Sequence, residues 1–421
     1  MKKIIFLFCF ILIAVIAYIS IGTYSQPDYD TQVVLEDSPV EEEIYEPVII
    51  KITAVGDIMT HGPQLKAQYD NKEKIYNFEN NYIAVKPYIE KADIALCNIE
   101  TVFAGEEEVF SSYPRFNTPD SLANALSNTG FDIGITANNH CFDREFQGLL
   151  RTIEVIRDNN MVPVGTQLDG EKKYIITDIK DVKVGITAYT YETGMYRGMI
   201  TINGLAVPNE AKDNINTFSY ETLEEDLHQM AESIREMKDE GAELIIFYLH
   251  WGEEYIKKPN AYQKQIAQKL SESGVDIIFG SHPHVLQPVE IIEKGNGHKT
   301  LIFYSMGNFI SNQRYEQMGH RYSEDGIIAE VTYEIDTRVN DIKLKEVKGI
   351  PTWVYRYYSE GKHVYEIQPL ADFLKNNLNK DTQWKVENSL QNTVKIMGEE
   401  FLNRETYELI IYRDKRLGIR D

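Results

Sequence analysis

Five apolar runs of strand length in this chain each end in residues able to hold a metal ion. The first runs into Gly56-Asp57-Ile58-Met59-Thr60-His61. The second ends Cys97-Asn98-Ile99-Glu100-Thr101, and the third Thr136-Ala137-Asn138-Asn139-His140-Cys141-Phe142-Asp143. The fourth ends His250-Trp251-Gly252 and the fifth Gly280-Ser281-His282-Pro283-His284. In α/β sheets the carboxyl ends of the strands form the common ligand-binding edge. Taken singly, each motif has an ordinary reading: Gly56-Asp57 as a turn or helix cap, Asn138-Asn139-His140 as an Asn-rich turn. Their recurrence in order, at the same kind of position, points instead to one assembled site. Oxygen and imidazole donors of this mix suit Mn, Fe or Zn. The lack of a cysteine cluster argues against a structural zinc site. Two such ions sharing one carboxylate can activate water for attack on phosphorus or carbon.

Positioning these groups requires alternating strands and helices. The strand-length runs are Ile49–Val55, Ile94–Cys97, Ile133–Ala137, Val182–Tyr189, Leu244–Leu249, Val275–Phe279 and Leu301–Tyr304. Between them, Leu223, Leu227, Met230, Ile234 and Met237 fall on one helical face, as do Phe146, Leu149, Leu150, Ile153 and Ile156. Such alternation predicts an α/β fold. Further on, Ile327–Ile335 and Ile342–Val347 read as a hairpin, and the stretch from about Leu370 to Tyr412 as helical.

The order Gly-Asp, Asn-x-Glu, Asn-His, His and His-x-His resembles the calcineurin-like metallophosphoesterases. More closely, it resembles their relatives in the capsule biosynthesis protein CapA family, which acts in poly-gamma-glutamate synthesis. Tyr304-Ser305-Met306-Gly307-Asn308-Phe309 fits the same pattern, and the resemblance runs from about Ile52 to Asn312. It implies a metallophosphatase sandwich of two β-sheets flanked by helices, with the C-terminal strands completing the second sheet. It also implies two divalent ions. Asp57 and His284 would bind one, Asn139, His250 and His282 the other, and Glu100 would bridge them. His140 would serve as general acid or as a charge stabilising the transition state. Asp143 is either its orienting partner or an exposed cap. The chain departs from ordinary metallophosphoesterases at Met59, where their first motif has histidine; His61, two residues on, is a possible substitute ligand. Arg115 could attract an anionic substrate or form a surface salt bridge, and Asn308 could hydrogen-bond near the site or shape a turn. His228, His298, His320 and His363 lie outside the motifs and are expected at the surface.

Lys2 and Lys3 precede an apolar run from Ile4 to Ile21, just long enough to span a bilayer. The expectation is an uncleaved anchor over residues 1–24, a single-pass location in the cell membrane, and a domain on the extracytoplasmic side; a cleaved signal peptide is the competing reading. Residues 25–48 are strongly acidic and read as a disordered linker. Residues 49–350 form the expected CapA-like domain, and 351–421 a mainly helical extension. The net charge of −22, with 65 acidic and 43 basic residues, disfavours nucleic-acid binding. Three cysteines are no disulfide framework; Cys97 and Cys141 read as buried thiols, with pairing between them the alternative. The expected partners are an anionic polymer such as poly-gamma-glutamate and a membrane synthesis complex. Three functional readings follow: a dimetal hydrolase or transferase acting on such a polymer, a non-catalytic metal-binding member of that complex, and a generic phosphoesterase.

Overall fold

The computed structural model describes residues 46–408 except 296, 340, 405 and 407. Two large sheets build the core of the fold, beside two small ones within residues 69–76 and 194–206. The first contains β1 (Val48–Ile58), β2 (Ile94–Ile99), β3 (Ile133–Ile135) and β4 (Val162–Val164). The second contains β5 (Ile175–Ile179), β6 (Val182–Tyr191), β7 (Thr217–Phe218), β8 (Leu244–His250), β9 (Ile277–Ser281), β10 (Val289–Glu293) and β11 (Lys299–Phe303). The chain then returns to the first sheet with β12 (Asn308–Ile310), β13 (Asp325–Asp336), β14 (Asp341–Ser359) and β15 (Lys362–Pro369). The strand orders are β15-β14-β13-β1-β2-β3-β4, with β12 beside β1, and β7-β6-β8-β9-β11-β10, with β5 beside β6.

Side-chain alternation along each strand explains the layering. Ile50, Ile52 and Ala54 of β1 point one way and meet Val184, Ile186, Ile246 and Phe279 of the second sheet in a shared core. Val55 points the other way, into a cluster with Leu122 and Leu126 of α2 (Ser121–Thr129) and Ile156 of α3 (Glu145–Asp158). On the second sheet's outer face Ile245, Phe247 and Leu249 meet Met230 and Ile234 of α4 (Leu223–Asp239), and Ile266 and Leu270 of α5 (Ala261–Ser273). Strands buried on both faces read as continuous apolar runs, which is why they stand out in the sequence. A short α1 (Gly62–Gln68) follows β1. The mixed α/β fold is therefore a four-layer sandwich.

Both β1–β4 and the core of the second sheet, β6-β8-β9-β11, are parallel. Their carboxyl ends therefore lie along common edges.

Three expectations are corrected. The C-terminal strands extend the first sheet, not the second: β13 pairs antiparallel with β1 from Val48↔Ile335 to Val55↔Ile328. The expected boundary at 350 falls inside β14, which runs unbroken to Ser359 and pairs with β15; helical structure begins at Leu370. α6 (Lys380–Met397) then sends Val386, Leu390 and Met397 into the core between the sheets. The single-pass membrane location is the third: no helix of the described residues is long and apolar enough to cross a membrane. The Ile4–Ile21 run on which that reading rested lies outside the described residues, as does most of the acidic segment.

Candidate metal centre

Strand register assembles the site. Asp57 lies opposite Asn98 on β2, and His250 opposite Ser281 on β9. Glu100 follows β2 at once, and its N–H donates to the Ile58 carbonyl at 3.0 Å. Two glycines permit the close approaches. A Cβ on Gly56 would stand 1.9 Å from the Gly307 carbonyl oxygen, and one on Gly280 would stand 2.3 Å from that of Tyr304. The last motif is a sharp turn in which His282 (φ 96°) and His284 (φ 56°) both adopt left-handed backbone. Such conformations cost on the order of 1–3 kcal/mol each and concentrate at functional sites.

The structure brings Asp57, Glu100, Asn139, His250, His282 and His284 together, all buried. His284 Nδ1 is 2.9 Å from Asp57 Oδ2, and His250 Nε2 is 3.0 Å from Asn139 Oδ1. Two sets of donor atoms lie within 4.8 Å of one another: Glu100, His282 and His284, and Asp57, Glu100 and His250. Glu100 belongs to both. The resemblance divides the other ligands differently, but it too gives Glu100 the shared position.

Glu100 is also the residue whose own chemistry is unfinished. Neither carboxylate oxygen has a hydrogen-bond partner, although both are buried. The Nε2 atoms of His250 and His284 each stand 3.7 Å from Oε1, beyond hydrogen-bond reach. Burial, followed by the Asp57 charge, pushes the Glu100 carboxyl well above its ordinary range. Burial opposes the charge on Asp57 as well, but His284 and the Asn98 amide hold it below the usual value. Burial drives His250 well down and His282 down to about 3. Imidazoles kept neutral are the form that ligates metal. His282 Nδ1 is buried without a partner. A shared buried carboxylate lacking donors, beside the imidazoles of His250, His282 and His284 and a second carboxylate, is a donor set that divalent cations fit.

His140 stands beside this cluster. Its Nδ1 is 2.7 Å from Asp143 Oδ2, which also accepts the Phe116 N–H at 2.6 Å. Asp143 is fully buried, so it is the orienting partner and no exposed cap. A carboxylate can only accept, so Nδ1 carries the proton and Nε2 is left free.

The remaining candidates fall outside the cluster. His61 caps α1; its Nδ1 faces the Asn312 N–H at 3.3 Å, and its ring packs edge-on to Phe116. Burial pushes it down to about 4, yet it joins neither donor set. Met59 is buried in the core. Arg115 donates Nε–H to the Asp143 carbonyl at 2.6 Å and lies 3.5 Å from Glu145, both structural contacts. Asn308 is fully buried: Oδ1 is 3.1 Å from His284 Nδ1, while Nδ2 donates to Gln313 and to the Ser323 carbonyl. It thus touches a metal-type histidine from behind. Cys97 and Cys141 are buried and free. His228 and His363 are exposed, whereas His298 and His320 are partly buried.

Sequence reasoning missed four supporting residues. Asn98 donates to Asp57 Oδ1 at 2.7 Å, and Asn138 donates to the Ile99 carbonyl at 2.9 Å. Ser281 Oγ meets His250 Nδ1 at 2.9 Å. Tyr191, at the end of β6, sets its ring 4.7 Å from that of His282. The polar three lie inside the motifs, next to ligands, and were readable as partners fixing them. Tyr191 carries no motif and closes an otherwise ordinary apolar strand.

A family model described as "Bacterial capsule synthesis protein PGA_cap" matches residues 51–313. The capsule biosynthesis protein CapA of Bacillus anthracis is 27% identical over 270 residues, covering 63% of this chain and 60% of that protein. The PGA biosynthesis protein CapA of Bacillus subtilis (strain 168) is 29% identical over 276 residues, covering 64% and 65%. The match thus spans less than two thirds of either relative's length. Among solved structures, a novel phosphatase from Mycoplasma pneumoniae aligns with a TM-score of 0.41 at 15% identity, over 79% of this chain and 98% of that one.

Proposed function

The chain belongs to the bacterial capsule synthesis protein family PGA_cap, and from that membership we propose that it acts in making poly-gamma-glutamate or a related anionic capsule polymer, as a dimetal hydrolase or transferase. The observation that carries this reading is Glu100, a buried carboxylate with both oxygens unpaired, common to two sets of metal-type donors. A charge left in that state costs several kcal/mol, and bound cations would remove the cost.

Two divalent ions, Mn, Fe or Zn, held by Asp57, Glu100, Asn139, His250, His282 and His284 would supply positive charge that polarises the scissile group and activates water. The chain's own residues do the rest. Asn98 and Ser281 fix the orientation of Asp57 and His250. Asp143 fixes His140 through Nδ1, and an imidazolium so held would give its Nε2 proton to the leaving group or stabilise charge on it. Because the ligands are buried, little water competes for that proton. The buried Met59, in place of a first-motif histidine, speaks against a generic phosphoesterase. The polymer and a membrane synthesis complex are the partners of this reading.

The test is metal content of the full chain together with cleavage or transfer of poly-gamma-glutamate, in wild type and His282→Ala. About two equivalents of Mn, Fe or Zn, falling in the variant together with polymer turnover, is the expected result. No bound metal after reconstitution removes the reading. Bound metal without turnover leaves a metal-binding component of a synthesis complex.

A further inference from the structure

One corner of the candidate site carries a cation that the metal ligands do not explain. The loop after β8, residues 252–260, is clamped to the turn that bears His282 and His284. The Tyr255 N–H donates to the Pro283 carbonyl at 2.8 Å, and Gln287 Nε2 donates to the Ile256 carbonyl at 2.7 Å. Lys257 therefore leaves a backbone fixed against the ligand turn itself. The Tyr255 ring bridges outward, 6.0 Å from His284 on one side and 5.8 Å from His320 on the other. Its hydroxyl accepts from Gln313 Nε2 at 3.2 Å. His320 lies 5.7 Å from Tyr322, and Lys257 Nζ stands 3.5 Å above the Tyr322 ring.

Among the described residues Lys257 has no carboxylate at ion-pair distance, although acidic residues outnumber basic ones 65 to 43. Neighbouring Arg321 does have one, Glu324 at 3.2 Å. His320 Nδ1 is buried without a hydrogen-bond partner. An aromatic face holds an ammonium in place while leaving its N–H donors free for an anion. Glu254, exposed on the same loop, sets its charge toward Tyr255 and Glu100 and forms no ion pair with Lys257.

We propose that Lys257 Nζ and His320 Nδ1 form an anion subsite on the far side of the Tyr255 ring from His284, and that it takes a carboxylate of the polymer on a repeat neighbouring the scissile bond. This rests on the polymer reading above, in which every repeat carries a free carboxylate. A phosphoryl oxygen would meet the same donors, and the probes separate the two.

The experiment is calorimetric titration of the full-length manganese-loaded protein with glutarate and, separately, with inorganic phosphate, in wild type, Lys257→Gln, Lys257→Arg and His320→Ala. Wild type is expected to bind glutarate in preference to phosphate. Lys257→Gln should weaken glutarate by about tenfold, as loss of a hydrogen bond to a charged group does, with metal content unchanged. Lys257→Arg should recover most of the affinity, and His320→Ala should lose a smaller part. No glutarate binding, equal affinity in wild type and Lys257→Gln, or tighter phosphate binding would overturn the assignment. Glutarate binding that depends on Lys257, in a protein that leaves poly-gamma-glutamate intact, would retain the subsite and remove the proposed polymer chemistry.

Discussion

Glu100 and Asp276 are both buried carboxyls lifted above their ordinary range, and they do opposite work. Asp276 precedes β9 at its amino end. Its Oδ2 accepts the Ile245 N–H at 2.7 Å, and its main-chain carbonyl accepts the Leu301 N–H and the Tyr333 hydroxyl. It fastens β8, β11 and β13 to the start of β9. Glu100 lies at the carboxyl end of the sheets, near the His282 that follows β9, and its oxygens have no donor. Perturbed titration marks both residues, so perturbation alone does not separate a structural acid from a functional one. Hydrogen-bond satisfaction does: a buried acceptor serving the backbone is finished, and one without donors awaits a ligand.

The sharpest way to break this contrast is Glu100→Gln. The variant keeps the volume and removes the charge. We expect it to lose both metal ions and polymer turnover, while the metal-free protein becomes more stable by about 1–3 kcal/mol at neutral pH, because a carboxyl that must be buried without donors, either charged or forced to hold its proton, is gone. Metal analysis and chelator-treated thermal melts read the two effects separately. Retained metal, or a lower melting point without metal, would place Glu100 with Asp276 among the structural acids.

His140→Ala is expected to do less. His140 belongs to neither donor set, so metal content should stay at the wild-type level. Turnover should fall by about 10²–10⁴, the usual contribution of a general acid. Metal loss in this variant would move His140 into the ligand cage.

The candidate site was legible in outline because its metal-type donors sit at the ends of strands buried on both faces. Continuous apolar runs such as Leu244–Leu249 mark the strand, and the first polar residue after each run marks the edge, as His250 does. The alternation of strand and helix likewise predicted the layered α/β fold. What stayed hidden depends on contacts between distant segments. Nothing local distinguishes Asp143 as a buried partner from Asp143 as a cap; the Phe116 N–H, 27 residues earlier in the chain, decides it. The sheet joined by β13 was equally unreadable, since its alternating pattern fits any open edge, and only pairing with β1 selects one. Asn308 was singled out for its turn motif, but its burial behind His284 comes from a parallel bridge, Asp57↔Asn308, that spans the whole domain.

The smallest predicted effect returns to Asp276. Burial raises its carboxyl from the ordinary value of 3.8 to about 7, with the Ile245 N–H opposing the rise. An acid whose folded pKa exceeds its unfolded value binds its proton more tightly when folded. Its contribution to stability is therefore complete below about pH 4 and is lost as pH climbs to about 7, with a slope from one group of at most about 1.4 kcal/mol per pH unit. Asp276→Asn retains an oxygen for the Ile245 N–H and cannot ionise. Urea midpoints measured between pH 5 and pH 8 should fall less steeply in the variant than in wild type, at unchanged metal content. Parallel slopes would mean that Asp276 is already ionised at pH 5, held there by its backbone donor, and the resemblance between the two carboxyls would then end at their burial.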